Sequence, residues 1–157
     1  MNVEKASKSD IDALVSLRIE YLREDNGYLD DKDADVIRKN LPEYFTDHLG
    51  KDLFCYIVRD EDEIASCAFL LVIDKPMSPA FINGKTGTVL NVYTKKGFRH
   101  RGYAKSIMET LVADAAKMSL CNLELKSTDA GYPLYKLVGF ADDESKYHLM
   151  KWINPSK

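Results

Sequence analysis

The chain has 157 residues and a formal net charge of −3, from 22 Lys and Arg against 25 Asp and Glu. This length predicts a single domain over residues 1–157, large enough to build a core without disulfides. The contents of 45% hydrophobic and 30% charged residues exclude a disordered or collagen-like chain. No apolar run approaches about 18 residues, and the N-terminus lacks the apolar stretch of a signal peptide. We therefore expect a cytoplasmic protein without a membrane partner.

The cysteines and histidines form no pattern typical of a metal site or a nucleophile. Cys55, Cys67 and Cys121 each lie in or beside an apolar run, and no CxxC pair occurs. We expect all three to be small buried side chains. The three histidines are scattered and no HExxH is present. The sequence therefore predicts no metal.

Hydrophobic periodicity and turn residues divide the chain into alternating elements. In chain order, the predicted elements are a strand at residues 3–7, helices at 10–24 and 33–48, strands at 53–59, 64–73 and 87–94, a helix at 104–117, a strand at 120–125, a helix at 134–138 and a strand at 147–153. We expect Ser9 to cap the first helix and Asn26-Gly27 to end it. Pro42 should kink or divide the second helix. Residues 74–86 should form a loop.

The order of these elements predicts the architecture. The strands at 53–59 and 64–73 flank an acidic turn and should form an antiparallel hairpin. Residues 87–125 form a strand–helix–strand crossover, whose two strands should be parallel. We therefore predict the α/β class, with a mixed, mostly antiparallel central sheet and helices on both faces.

A basic segment follows the strand at 87–94. Residues 95–105 contain five Lys or Arg and no acid, on a protein that is acidic as a whole. Such a local positive field indicates a specific anionic ligand, although a solvated face explains it equally well. Nucleic acid is disfavoured as a partner by the net charge of −3 and by the lack of another basic, aromatic-rich strand.

The same segment has the composition of a diphosphate-binding loop. It connects a strand to a helix through Arg99, His100, Arg101, Gly102, Tyr103 and Ala104. A glycine lets the backbone approach a ligand closely, and a helix N-terminus offers unpaired N–H groups. The single glycine excludes a dinucleotide GxGxxG motif, and the missing GKS/T excludes a P-loop.

This loop, in its context, resembles the acetyl-CoA loop of the Gcn5-related N-acetyltransferase (GNAT) family, Arg/Gln-x-x-Gly-x-Gly/Ala. Arg99, Gly102 and Ala104 match that pattern. Downstream, the segment TDAGYPLYKLVGF resembles the family's Asn-x-x-Ala-x-x-Leu-Tyr-x-x-x-Gly-Phe, and it departs from that pattern at Thr128 and Gly131. Its matching residues are Leu134, Tyr135, Gly139 and Phe140.

The resemblance implies a GNAT-like acyl-CoA acyltransferase fold and an N-acetyltransferase. Its members transfer the acetyl group of acetyl-CoA, without a metal, to a primary amine of a small molecule or protein by direct attack. Tyr135 matches the tyrosine that stabilises the leaving thiolate. The implied cofactor-binding residues are Asn91, Val92, Tyr93 and Thr94 at a strand bulge, Arg99, His100, Arg101, Gly102, Tyr103, Ala104 and Lys105 in the loop, and Thr128.

The acceptor amine and the general base stay open at this point. Glu124, Glu20 or a water chain are alternatives for the base, with Glu24 and Asp129 as weaker candidates. Arg18 and Tyr21 lie on one helical face, where they either contact the acceptor or the CoA arm or simply cover the sheet. A non-catalytic acyl-CoA binding or regulatory module is the alternative function, and a free sheet edge allows a homodimer.

Overall fold

Five strands pair into one mixed sheet in the computed structural model, which describes residues 1–157. The chain divides into two units, Met1–Lys126 and Ser127–Lys157. The first unit contains the sheet and three helices, and the second contains one short helix. The elements are β1 (Val3–Lys5), α1 (Ile11–Asn26), α2 (Asp31–His48), β2 (Leu53–Asp60), β3 (Glu63–Asp74), β4 (Lys85–Thr94), α3 (Tyr103–Lys117), β5 (Leu123–Glu124) and α4 (Tyr132–Leu137).

The strands follow the chain order across the sheet, from β1 to β5. The first four are antiparallel neighbours, while β4 and β5 are parallel and pair through Gly87↔Leu123 and Thr88↔Glu124. The predicted hairpin and the predicted parallel crossover are both confirmed. The hairpin turn consists of Glu61 and Asp62, both with positive φ, which is typical of tight two-residue turns.

Alternate residues of the strands bury against helices on opposite faces of the sheet. Cys55 and Ile57 of β2 belong to a buried cluster that also contains residues of α1 and α2. Between them, Tyr56 is fully buried, and its hydroxyl donates a hydrogen bond to Asp114 of α3 over 3.1 Å. The α/β class and the predicted layering, with helices on both faces, are therefore confirmed.

Two predicted strands differ from the structure. The strand predicted at 120–125 is reduced to Leu123–Glu124, because only these residues pair with β4. The strand predicted at 147–153 is absent. A strand needs a neighbour that completes its hydrogen-bond ladder, and residues 147–153 pair with no strand of the sheet. A run of apolar and aromatic residues alone does not make a strand.

Local details correct three further predictions. Ser9 does not cap α1, because a single 3₁₀ turn at Lys8–Asp10 moves the cap to Asp10, whose carboxylate accepts the Ser7 N–H over 2.9 Å. Pro42 lies inside a continuous α2, so it does not divide that helix. Cys121 is exposed, unlike the other two cysteines, because it lies in the loop before the short β5.

The ends of the elements agree more closely with prediction. Asn26 is the last residue of α1, and Gly27 follows it with a left-handed φ of 71°. The loop predicted at 74–86 is shorter than expected, because Asp74 pairs with Lys85 and extends both β3 and β4. None of the four helices combines the length and the apolar character that crossing a membrane would require.

Candidate active site

A bulge interrupts β4 at Asn91, three residues before the strand ends at Thr94. Cys67 pairs with Tyr93 and Phe69 pairs with Leu90, so two β4 residues, at positions 91 and 92, lie opposite one β3 residue. The first of them, Asn91, has a φ of 54°. A left-handed residue at the first position is typical of one bulge class. The bulge lies where the family resemblance implies one, and it locally frees backbone groups from the ladder.

The side chain of Asn91 holds the bulge in place. It is buried, and its Oδ1 accepts a hydrogen bond from Arg18 Nη1 of α1 over 3.1 Å. Its Nδ2 donates to Cys67 Sγ over 3.5 Å, while the Cys67 thiol donates to the Asn91 carbonyl over 3.7 Å. Burial raises the pKa of Cys67 to about 12, so the thiol keeps its proton. The bulge is thus tied both to α1 and to β3.

The last turn of α1 connects the bulge to the basic loop. Glu24 accepts the hydroxyl of Tyr93 over 3.0 Å and the Nη2 of Arg99 over 2.6 Å. Arg99 also donates from Nε to the Thr94 carbonyl over 2.9 Å, and its guanidinium lies 5.7 Å from the centre of the Tyr93 ring. Burial and then Glu24 raise the pKa of Tyr93 to about 12. The hydrogen bond from Arg99 holds the pKa of Glu24 below its usual value.

The loop turns sharply before α3. His100 has a φ of 63°, and Gly102, which precedes the first residue of α3, has a φ of 80°. The Gly102 conformation favours glycine, and a Cβ there would meet no atom within 4 Å. The first N–H groups of α3 have no intrahelical acceptor, as in any helix. No side chain caps them either. This arrangement fits an anionic group placed against the backbone.

The second arginine of the loop is anchored to the β2–β3 hairpin. Asp60, the last residue of β2, accepts hydrogen bonds from Arg101 Nη1 over 2.8 Å and from the Tyr103 hydroxyl. Arg101 also donates to the Gly97 carbonyl over 3.3 Å and lies 5.2 Å from the centre of the Phe98 ring. Asp60 therefore links the loop to the start of α3.

Three other predicted cofactor-binding residues, Thr94, Ala104 and Lys105, lie at the end of β4 and at the start of α3. Thr94 ends β4, and its hydroxyl lies 2.8 Å from that of Ser66. Ala104 and Lys105 lie in the first turn of α3, where Lys105 pairs with Glu109 over 3.2 Å. The structure therefore brings every predicted cofactor residue from position 91 to position 105 into one continuous strand–bulge–loop–helix segment.

Thr128 and Tyr135 belong to the second unit. The Thr128 hydroxyl accepts the Gly131 N–H over 3.2 Å directly before α4, the helix that contains Tyr135. The Tyr135 ring packs edge-on to Phe140, with 6.1 Å between the centroids. A Cβ at Gly131 would lie 2.9 Å from Tyr135 Cε2. Glycine at a position where the family more often has alanine thus makes room for this tyrosine ring.

The candidates for the general base are spread over both units. Glu20 is exposed and lines a cavity of about 210 Å³ beside Arg59 and Lys95. Glu124 is exposed on β5, and Asp129 belongs to the second unit. The Glu24 carboxylate already accepts hydrogen bonds from Arg99 and Tyr93. Its pKa lies below the usual value for a glutamate, which makes it a poor base.

Three residues have anchoring roles that the sequence alone does not indicate. They are Asp60 in the acidic turn, Cys67 in an apolar run, and Glu24, which the sequence offers only as a weaker candidate for the base. Their partners are separated from them by at least 24 residues in the chain. No local pattern could have indicated these contacts. No group of three or more His, Cys, Asp or Glu side chains is arranged to hold a metal ion.

Comparison with known proteins agrees with this geometry. The model of the acetyltransferase (GNAT) family matches residues 13–140, and the chain therefore belongs to that family. It is an acetyl-CoA-dependent acetyltransferase, with acetyl-CoA as its cosubstrate. A search of the curated proteins finds no match.

Solved structures show the same fold. The crystal structure of a predicted acetyltransferase from Clostridium acetobutylicum with acetyl-CoA is 31% identical, covers 95% of each chain and has a TM-score of 0.81. A GCN5-related N-acetyltransferase from Ralstonia eutropha is 20% identical over 95% of this chain and 97% of that chain, with a TM-score of 0.75. A ribosomal-protein-alanine N-acetyltransferase from Brucella melitensis is 17% identical over 96% and 100%, with a TM-score of 0.67.

Proposed function

We propose that this acetyltransferase transfers the acetyl group of acetyl-CoA to the primary amine of a small molecule or protein by direct attack, without a covalent enzyme intermediate. The observation that carries this proposal is the bulge at Asn91 followed directly by the Arg99–Ala104 loop at the start of α3. We further propose that residues 1–157 act as one N-acetyltransferase domain. The family match over residues 13–140 supports this, because it includes parts of both units.

The loop is proposed to bind the diphosphate of acetyl-CoA. Backbone N–H groups of residues 100–104 supply donors, and the open space at Gly102 admits the phosphates. Arg99 and Arg101 supply positive charge. In the free protein both guanidinium groups contact a carboxylate, Arg99 that of Glu24 and Arg101 that of Asp60. Lys105 and Thr128 are proposed as further cofactor-binding residues.

The bulge is proposed to bind the pantetheine arm and the thioester. A bulged strand leaves backbone groups available to the amides of the arm. A backbone N–H near Val92 or Tyr93 then polarises the thioester carbonyl and stabilises the oxyanion of the tetrahedral intermediate. The Asn91 contacts with Arg18 and Cys67 keep these groups in place during the reaction.

The chemical step needs two proton transfers. A lysine-like amine has a pKa near 10.4, so Glu20, Glu124 or a water chain must remove a proton before the nitrogen attacks. The nitrogen bonds to the thioester carbon, and the intermediate collapses by breaking the C–S bond. Tyr135 is proposed to donate its phenolic proton to the departing CoA thiolate, which is a modest leaving group.

Two measurements test this function. Calorimetric titration with acetyl-CoA, with ATP as the anion control, should show saturable binding only of acetyl-CoA. A continuous assay of CoA release against a panel of amines should then show turnover with at least one amine. Binding without turnover across the panel would support a non-catalytic acyl-CoA binding module. No binding of acetyl-CoA would contradict the assignment of the loop.

A further inference from the structure

Arg18 carries a half-buried positive charge that no carboxylate balances. Four of the other five arginines form ion pairs, namely Arg38, Arg59, Arg99 and Arg101. The fifth, Arg23, is exposed. Arg18 is half-buried on α1, and no Asp or Glu oxygen lies within 4.0 Å of its nitrogens. A charge that is withdrawn from water without an opposite charge costs free energy.

The known contacts of Arg18 use only part of its guanidinium. Nη1 donates to Asn91 Oδ1 over 3.1 Å, and the guanidinium carbon lies 5.7 Å from the centre of the Tyr21 ring. A guanidinium has five N–H donors in a planar fork. One hydrogen bond to a neutral amide neither fills that fork nor balances its charge. Holding the bulge is therefore not a sufficient reason for an arginine here.

Arg18 contacts the strand bulge at which the reaction is proposed to occur. Its partner Asn91 is the bulge residue, and the bulge is the proposed site of the thioester carbonyl. An amine that attacks this carbonyl must approach the same stretch of β4. A negatively charged group elsewhere on the same acceptor would then come within reach of the Arg18 guanidinium.

We propose that Arg18 binds a carboxylate of the acceptor, so that the substrates are amines that also carry a carboxylate, such as amino acids. This inference rests on the proposed function. The planar fork of arginine matches the two oxygens of a carboxylate. A single unpaired cation balances a singly charged group better than a phosphate, which carries more than one negative charge at neutral pH. Carboxylate binding would satisfy both the free donors and the charge.

The test compares matched acceptors in three proteins. CoA release is measured with a panel of amino acids and with the corresponding amino acid amides, for the wild type, Arg18→Gln and Arg23→Gln. For each protein, kcat/KM for the amino acid is divided by kcat/KM for its amide. The two amines differ in pKa, but this difference is the same in all three proteins, so it cancels when their ratios are compared. Arg23→Gln removes the same charge from the exposed part of the same helix and is the matched control.

We expect Arg18→Gln to lower this ratio about tenfold or more, because the variant loses the hydrogen-bonded ion pair with the substrate carboxylate. Arg23→Gln should keep the wild-type ratio. An equal loss for acids and amides would overturn the proposal, since a purely structural role predicts it. A preference for aminoalkyl phosphates over amino acids would also overturn it.

A direct binding measurement covers the case in which no acceptor of the panel turns over. The amino acids are titrated into the complex of the protein with CoA, with the amides as controls. Carboxylate-dependent binding that Arg18→Gln abolishes supports the proposal, and its absence overturns it. Acetyl-CoA binding without any amino acid binding refutes only this inference, whereas failure to bind acetyl-CoA refutes the proposed function itself.

Discussion

Glu24 and Arg99 are 75 residues apart in the chain, yet the Glu24 carboxylate accepts the Arg99 guanidinium over 2.6 Å. The contact joins the last turn of α1 to the basic loop. Arg99 keeps two further contacts, with the Thr94 carbonyl and with the Tyr93 ring. The Glu24 carboxylate thus occupies a guanidinium that is proposed to bind the diphosphate of acetyl-CoA, so its negative charge competes with the phosphates for Arg99.

We expect Glu24→Gln to tighten acetyl-CoA binding about fivefold. The substitution removes a competing charge, and a partly exposed ion pair of this kind is worth about 1 kcal/mol. The contacts with Thr94 and Tyr93 keep the arginine in place. Calorimetric titration at low and at moderate salt measures the effect, which should shrink as salt screens the charges. Weaker binding of acetyl-CoA would show that Glu24 mainly orients Arg99.

Asp60→Asn should weaken acetyl-CoA binding while leaving the chemical step intact. The loop loses its charged anchor to the hairpin, so we expect KM for acetyl-CoA to rise about five- to tenfold with kcat within about twofold. Asp62→Asn is the control, because Asp62 lies in the same hairpin turn with a positive φ, which asparagine tolerates. A parallel loss of kcat would contradict a role limited to the loop.

Tyr135→Phe tests the proposed proton donor. Removing a general acid lowers kcat about 100-fold or more, and acetyl-CoA affinity should change little because the ring is retained. Tyr132→Phe on the same helix is the matched control, since the Tyr132 hydroxyl donates to Asp142 over 2.8 Å. Steady-state kinetics and titration with acetyl-CoA separate the two steps. Unchanged turnover in Tyr135→Phe would assign the proton to another donor.

The stability of the protein in acid should depend on Asp10. Burial raises the pKa of this carboxyl, but hydrogen bonds from Arg59 over 2.7 Å and from the Ser7 N–H outweigh that effect, so the net pKa lies below the ordinary 3.8. A lowered pKa stabilises the fold above the pKa of the unfolded chain. This contribution is lost as the pH falls through the lower, folded value.

Asp10→Asn should therefore lower the free energy of unfolding by about 1–2 kcal/mol at pH 7. Its deficit relative to the wild type should begin to shrink as the pH falls below about 4, where the unfolded chain takes up a proton, and should disappear only below the lower pKa of the folded carboxyl. Urea unfolding at pH 7, 4 and 3 measures both effects. Asp12→Asn, in the exposed first turn of α1, is the control. A deficit that does not change with pH would point to packing rather than charge.

The loop and the layering of the fold were predictable because their signals are local. The turn before α3 depends on neighbouring residues, of which Gly102 has the positive φ that the turn requires. The hairpin and the parallel crossover follow from element order and hydrophobic period. Local signals failed where a partner decides the outcome, as at residues 147–153, which are rich in apolar and aromatic residues but form no strand.

The sequence by itself therefore determined the fold class, the family and the segment from Asn91 to Lys105 that carries the cofactor motif. Only the tertiary structure decided how that segment is held. Glu24, Asp60 and Arg18 lie 75, 41 and 73 residues from their partners. The physical reason is that helix and strand signals come from neighbouring residues, whereas an ion pair or a buried amide contact needs chain segments that only folding brings together.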